Sequence, residues 1–211
     1  MEKNQSDILV EVADYYSTRL AEHGATHRGV DWNGEESQIL RFEQLTKIIQ
    51  QPKGFLLNDL GCGYGALFDH LQNKYQDVVY TGCDVSRDMI LAACARHAAN
   101  PNAKFIVAST PPEKADYGIA SGIFNVRLGR SDAEWWDYFK ATLDVLDQTS
   151  QQGFAFNCLT VYSDSDKMRD YLYYADPCAL FDLCKRRSSR HIALLHDYGL
   201  YEFTILVRKL L

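Results

Sequence analysis

Between Phe55 and Lys74 the sequence permits few architectures. Phe55-Leu56-Leu57-Asn58-Asp59-Leu60 has the apolar character of a short strand, and Gly61-Cys62-Gly63-Tyr64-Gly65 leads from it into a helix predicted over 64–74. Three glycines at a strand-to-helix handover serve a tight turn, and they let a ligand approach bare backbone where the first N–H groups of the helix are free to donate. Roughly 20 residues further on, the spacing at which a ribose-binding acid is expected, Asp84 closes a second predicted strand over 78–84. A carboxylate there can accept both hydroxyls of a ribose. The plain alternative is that the turn only joins strand to helix and that Asp84 only caps the next helix beside Ser86.

The rest of the chain alternates in the same way. Ser86 to His97 forms an alanine-rich helix, and strands are expected over 104–108, 117–124 and 154–159. Ser131 and Glu134 make a capping box for a helix that buries Trp135, Tyr138, Phe139, Leu143 and Leu146. Strands separated by helices call for right-handed crossovers and a mostly parallel sheet covered on both faces. Near the end the period becomes two: 191–196, a turn at Asp197-Tyr198-Gly199, then 201–207, which predicts an antiparallel hairpin. Ahead of the first strand come a helix over 6–20 with Ile8, Val12, Tyr15, Tyr16 and Leu20 on one face, a glycine-rich loop over 23–34, and a helix over 35–50. The expected fold class is therefore α/β: a doubly wound, mostly parallel seven-stranded sheet with a C-terminal antiparallel hairpin strand and an N-terminal helical extension. The 211 residues suit one domain, with 1–53 as a helical lid and 54–211 as the Rossmann-like core.

Composition narrows the partners. With 22 Lys and Arg against 28 Asp and Glu, the net charge is −6, which disfavours a nucleic-acid partner because phosphate affinity needs clustered cations. The six cysteines form no Cys-x-x-Cys pair and flank no histidine at zinc-finger spacing, so no metal is expected and the thiols are read as reduced. The first nine residues are polar, and no run of about 18 apolar residues occurs, so a cytoplasmic protein without a membrane partner is expected. Oligomeric state stays open.

Gly61-Cys62-Gly63-Tyr64-Gly65-Ala66 also satisfies the dinucleotide pattern G-x-G-x-x-G/A. Asp59 two residues before the first glycine, the third glycine at 65, and the closing hairpin favour S-adenosylmethionine instead. A carboxylate at 59 suits an ammonium and repels a pyrophosphate. A nicotinamide enzyme would also need a substrate domain that this length does not provide. In the D-x-G-x-G-x-G turn, Asp84 and the hairpin, the sequence resembles the class I S-adenosylmethionine-dependent methyltransferases over roughly residues 54–211. The resemblance implies that Asp59, Gly61 and Gly63 hold the methionyl part, that Asp84 holds the ribose with Val85 beside the adenosine, and that Ser121, Gly122 and Phe124 line the methionyl side. Ser109 and Thr110 stand where such enzymes often place an acid for the adenine amino group, a departure from the family pattern. It also implies a lid role for the N-terminal segment, with Tyr16, Arg19, His23 and Trp32 over the cofactor.

Ligands of an open α/β sheet collect beyond the carboxyl ends of the strands, which puts Asn125, Arg127, Tyr162, Asp164, His196, Asp197 and Tyr198 near an acceptor. His196 is the candidate base for an amine or hydroxyl, with Tyr162 as its catalytic companion and His23 as a second choice. Phe124-Asn125-Val126-Arg127 occupies the place of an Asn-Pro-Pro-Tyr motif, which argues against amino methylation of DNA or of protein glutamine. Tyr171, Tyr173 and Tyr174 either wall an aromatic pocket or pack in the core. Lys185-Arg186-Arg187 with Arg190 either draws an anionic substrate or forms a solvated helix end. The expectation is a methyltransferase for a small-molecule acceptor, using S-adenosyl-L-methionine and releasing S-adenosyl-L-homocysteine. Its rivals are methylation of a protein or RNA, and a cofactor-binding module without chemistry.

Overall fold

Helix and strand alternate along residues 2–209, which a computed structural model describes. In chain order these are α1 (Glu2–His23), α2 (Glu35–Thr46), β1 (Lys53–Leu60), α3 (Ala66–Lys74), β2 (Gln76–Asp84), α4 (Arg87–Arg96), β3 (Ala103–Val107), β4 (Ala115–Ala120), α5 (Asp132–Thr149), β5 (Ser150–Leu159), α6 (Pro177–Arg187), β6 (His191–Leu195) and β7 (Glu202–Arg208). The seven strands form one sheet in the order β3-β2-β1-β4-β5-β7-β6. β1 pairs in parallel with both β2 and β4, at Leu57↔Tyr80 and Leu57↔Tyr117. Successive crossovers therefore leave β1 in opposite directions. That reversal opens a crevice at the carboxyl ends of β1 and β4, where the glycine turn lies.

Alternation along the strands sends side chains to two cores. One face carries Phe55, Leu57, Tyr80, Tyr117 and Ala155 under Phe42 and Leu45 of α2 and Leu67, Phe68 and Leu71 of α3. The other carries Leu60, Phe154, Phe156 and Phe203 under Trp135, Phe139 and Leu143 of α5 and Leu180 of α6. Ile8 and Val12 of α1 belong to this second core, so the first helix is built into the body of the protein as well as standing beside the crevice. α4 packs on β2 and β3, and the Ser17 and Ser86 hydroxyls, 2.9 Å apart, join it to α1. Among the described residues no helix is long and apolar enough to cross a membrane.

Several boundaries differ from the sequence expectations, each for a local reason. β4 ends at Ala120 rather than 124, because Gly122 turns into the left-handed region (φ 76°) and gives its N–H to Asn157 Oδ1 at 2.9 Å. The last turn spans six residues, His196 to Tyr201, rather than three. Tyr201 presents its carbonyl to the Thr160 N–H at 3.0 Å, at the end of β5, and so cannot begin the β6 pairing. β7 consequently lies between β5 and β6 and is antiparallel to both. The path from β3 to β4 runs through 108–114 without a helix, with Asn58 Nδ2 donating to the Glu113 carbonyl at 2.9 Å. α2 stops at Thr46, short of 50, and its chain continues in tight turns that still bury Ile48 and Ile49.

The Ser131–Glu134 capping box forms as expected, and α5 buries the five residues assigned to it. The Phe124 and Phe139 rings stack at a centroid distance of 3.8 Å, both fully buried. Phe139→Ala is expected to cost about 3–5 kcal/mol of stability through lost burial and the cavity left behind, and Ser131→Ala about 1 kcal/mol through the lost cap. Urea unfolding measures both, and a Phe139→Ala cost no larger than that of the cap variant would remove this stack from the core.

Candidate active site

The glycine turn is shaped by what crowds it. Gly61 (φ 77°) has no room for a side chain, since a Cβ would lie 2.1 Å from Ile123 Cγ2. At Gly65 (φ 82°) a Cβ would lie 2.9 Å from the His97 ring, which stacks on Phe105 and whose Nε2 meets the Gly65 carbonyl at 3.0 Å. The end of β2 grips the turn from the other side. The Cys83 carbonyl accepts the N–H groups of Gly61 and Cys62 at 2.7 and 3.0 Å, and Asp84 Oδ2 accepts that of Gly63 at 2.9 Å. Asp84 Oδ1 accepts the Ser86 N–H at 2.8 Å, and Ser86 Oγ caps α4 by accepting from Met89. Asp84 thus orders both the turn and the start of α4. With about four acceptor sites over its two oxygens, the carboxylate keeps capacity for a ligand. Burial raises its carboxyl pKa, opposed by the backbone N–H donors.

Asp59 is the buried acid below the turn. Its Oδ2 accepts the Tyr80 hydroxyl at 2.5 Å, while its Oδ1 has no hydrogen-bond partner among the described residues. Ser121 Oγ at the end of β4 is likewise unpartnered. Desolvation pushes the Asp59 carboxyl up from its ordinary 3.8 to about 7, against the Tyr80 hydrogen bond, which lowers it. A buried oxygen without a donor is costly, and a cation or donor on a bound molecule would relieve it.

Around these groups lies a cleft with roughly 1080 Å³ of empty space, its mouth included. Of the residues the sequence singled out, Tyr16, Trp32, Asp59, Gly61, Gly63, Asp84, Val85, Ser109, Thr110, Ser121 and Gly122 line it. Apolar and neutral residues that the sequence left unassigned add to the wall, among them Leu9, Val30, Gln38, Met89, Ile123, Thr142 and Val145. Tyr138, expected as core, lines it too, and Thr142 follows one helical turn later on α5, a spacing that puts both on one face. Burial raises Tyr16 well above the ordinary tyrosine value and Tyr138 to about 12, so neither offers a phenolate.

Other expected residues lie elsewhere. Phe124 is off the cleft, in the core stack with Phe139. Arg19 gives Nη2 to Asp31 Oδ1 at 2.6 Å, and Asp31 Oδ2 accepts the Tyr15 hydroxyl at 2.9 Å, which ties the 27–30 turn to α1 behind the cleft wall. His196 and Tyr162 stand together, ring centroids 6.0 Å apart, past the ends of β6 and β5, and neither is among the lining residues. Tyr162 is 67% exposed. His23 lies 3.7 Å from Glu22, also away from the lining. Asn125 Oδ1 accepts the Leu159 N–H, Arg127 pairs with Asp132, Asp164 accepts the Tyr201 hydroxyl, and the Tyr198 and Thr204 hydroxyls bond. Tyr173 packs near Phe139, Tyr171 lies near Tyr15, and the Tyr174 hydroxyl accepts from Arg169 N–H. The basic cluster is engaged by nearby groups: Arg186 with Asp182, Arg187 with Asp144, and Lys185 with the Arg190 carbonyl.

A methyltransferase-domain family model matches residues 58–150, the turn and Asp84 included. The Mycobacterium tuberculosis protein named "Putative methyltransferase Rv1506c" is 60% identical over 163 residues, covering 77% of this chain and 98% of that protein. Among solved structures, one described as the DhpI-SAH complex superposes with a TM-score of 0.68 at 19% identity, over 96% of this chain and 97% of that one. Magnesium protoporphyrin IX methyltransferase (ChlM) from Synechocystis PCC 6803 with bound SAH gives 0.66 at 12% identity, over 98% and 100%. At these identities the two structures establish the shared fold.

The raised Asp59 pKa has a definite sign in stability. The unfolded chain loses this proton near 3.8 and the folded chain keeps it to about 7, so the contribution of Asp59 to stability falls as pH rises between those values and is level above them. Asp59→Asn is expected to flatten that slope, with a difference from the unsubstituted protein of up to about 4 kcal/mol across the window. Chemical denaturation at pH 4, 5.5 and 7.5 checks it, and parallel curves for the two proteins would mean that the carboxyl ionises normally.

Proposed function

The chain belongs to the class I S-adenosylmethionine-dependent methyltransferases, and from that membership we propose that its cleft serves methyl transfer to a small-molecule acceptor at oxygen or nitrogen. The observation that carries the cofactor's placement is the unpartnered Asp59 Oδ1, a buried acceptor beneath the glycine turn. When bound, S-adenosylmethionine supplies a methyl group on a sulfonium, which passes in line to a nucleophile and leaves S-adenosylhomocysteine. Asp59 and Ser121 would take the polar methionyl groups, and the free acceptor sites of Asp84 would take the ribose diol. Val85, Ser109 and Thr110 would flank the base. Ser109 and Thr110 offer hydroxyls and no carboxylate there.

The small-molecule assignment rests on the cover. Tyr16, Val30 and Trp32 line the cleft from the N-terminal segment, which is tied down by the Tyr15–Asp31–Arg19 group and the Ser17–Ser86 contact. A cover of this kind excludes water and holds the reactants in line, and positioning alone can lower a barrier by about 7–11 kcal/mol. No histidine or lysine is among the lining residues. On this reading the chain orients and desolvates the reactants, and the ionisable carboxyls in the wall are those of Asp59 and Asp84. His196 and Tyr162 fall outside this proposal as acid or base.

Calorimetric titration with S-adenosylhomocysteine is expected to give a single site, and titration with NAD none. Asp84→Ala is expected to weaken that binding by about 1.5–3 kcal/mol, the worth of hydrogen bonds to a charged group. The circular dichroism of the variant should stay that of the parent. Binding of NAD alone would overturn the cofactor, and an unaltered affinity in Asp84→Ala would leave that residue only its structural bonds.

A further inference from the structure

Trp32 and Gly122, both in the cleft wall, are linked by a closed circuit of contacts that runs behind it. The indole covers Gly122 so closely that a Cβ there would lie 2.4 and 2.5 Å from Cζ2 and Cη2. The Arg41 guanidinium stacks 3.9 Å from the centre of the same indole. Arg41 Nε and Nη2 donate to the two carboxylate oxygens of Glu202 at 2.9 and 2.7 Å, and Nη1 donates to the Ser37 carbonyl at 2.8 Å. Glu202 Oε2 also accepts from Asn157 Nδ2 at 2.5 Å, and Asn157 Oδ1 accepts the Gly122 N–H at 2.9 Å. Arg41, Asn157 and Glu202 are all buried, and none of them is among the cleft residues.

A buried ion pair is a poor device for stability alone, since well-packed apolar residues often replace one at no cost. What a forked guanidinium–carboxylate pair supplies is orientation. Here it fixes the plane of the guanidinium, and with it the indole stacked on that plane. The third bond on Glu202 fixes, through Asn157, the amide of Gly122 on the other side of the contact. We propose that Arg41, held by Glu202, is a positioning residue that clamps Trp32 against Gly122 and so sets the width of the cleft beside Ser121. This rests on the methyl-transfer proposal for the cleft, and it adds residues that no turn or strand-end motif marks.

The test compares the parent protein, Arg41→Gln, Arg41→Lys and a control, Val78→Ala, which thins the core far from the cleft wall. Two quantities are read: hydrogen exchange of the Gly122 amide in ligand-free protein by NMR, and the Kd for S-adenosylhomocysteine. Arg41→Gln is expected to speed Gly122 exchange beyond any change in the β5 amides and to raise Kd about tenfold or more, the scale on which small misplacements act. Arg41→Lys, with its charge kept and its fork lost, should fall between. Val78→Ala should lower stability without moving Kd. Should Arg41→Gln fail to fold, Arg41→Met combined with Glu202→Gln removes both buried charges and must still raise Kd. Gly122 exchange that only follows the β5 amides, or a Kd in the Arg41 variants equal to the parent's, overturns the clamp. Failure of the parent to bind S-adenosylhomocysteine would overturn the cofactor assignment instead, and the exchange data would still decide the circuit.

Discussion

The site depends on the carboxyl end of β2 gripping the turn that follows β1. Cys83 uses one carbonyl for two turn amides, and Asp84 uses one carboxylate for a third amide and for the start of α4. These bonds span neighbouring parallel strands, so the shape of the turn is inherited from the strand register and not from the turn residues alone. Everything that lines the floor follows from it: Asp59 is kept below the turn, Ile123 rides over Gly61, and His97 backs Gly65. A ligand on Asp84 would therefore meet an acid already ordered, with little left to immobilise.

That grip was legible in the sequence as two separate signals, glycines after one strand and an acid at the end of the next, because turn geometry and strand ends leave local marks. The parallel run of the strands was implied by the helices between them, and the antiparallel end by the change to period two. Placements decided by long-range contact were harder to see. Phe124 closes a strand-like run, which predicts a strand end, yet the left-handed Gly122 turns the chain and sends that ring to Phe139. His196 lies past a strand end as required, but the six-residue turn carries it to Tyr162, outside the cleft wall. The bond that lengthens this turn comes from Thr160, some forty positions away in sequence, and no local pattern announces it.

The N-terminal segment shows the same division. Tyr16 and Trp32, expected over a cofactor, line the cleft, whereas Arg19 spends its charge on Asp31. Ile8 and Val12 make α1 part of the second core, so cover and core share one helix. Tyr138 shows the converse, an aromatic at core spacing that also faces the cleft. Amphipathic spacing identifies a buried face but cannot say whether it is buried against protein or against a cavity.

The position of β7 carries a consequence for how the protein is made. Of the seven strands it is the last in sequence and yet lies inside the sheet, between β5 and β6. Glu202, its first residue, is the partner of Arg41, 161 positions earlier. A chain lengthening on the ribosome holds all the partners of β1 to β4 and of the glycine turn before β7 emerges. Until Glu202 is out, however, Arg41 has no carboxylate to fork onto and β6 has no neighbour to pair with. The half-made sheet then presents β5 as an open edge, the sort of edge on which nascent chains associate wrongly. The Arg41–Glu202 pair and the disappearance of that edge therefore wait on the same strand.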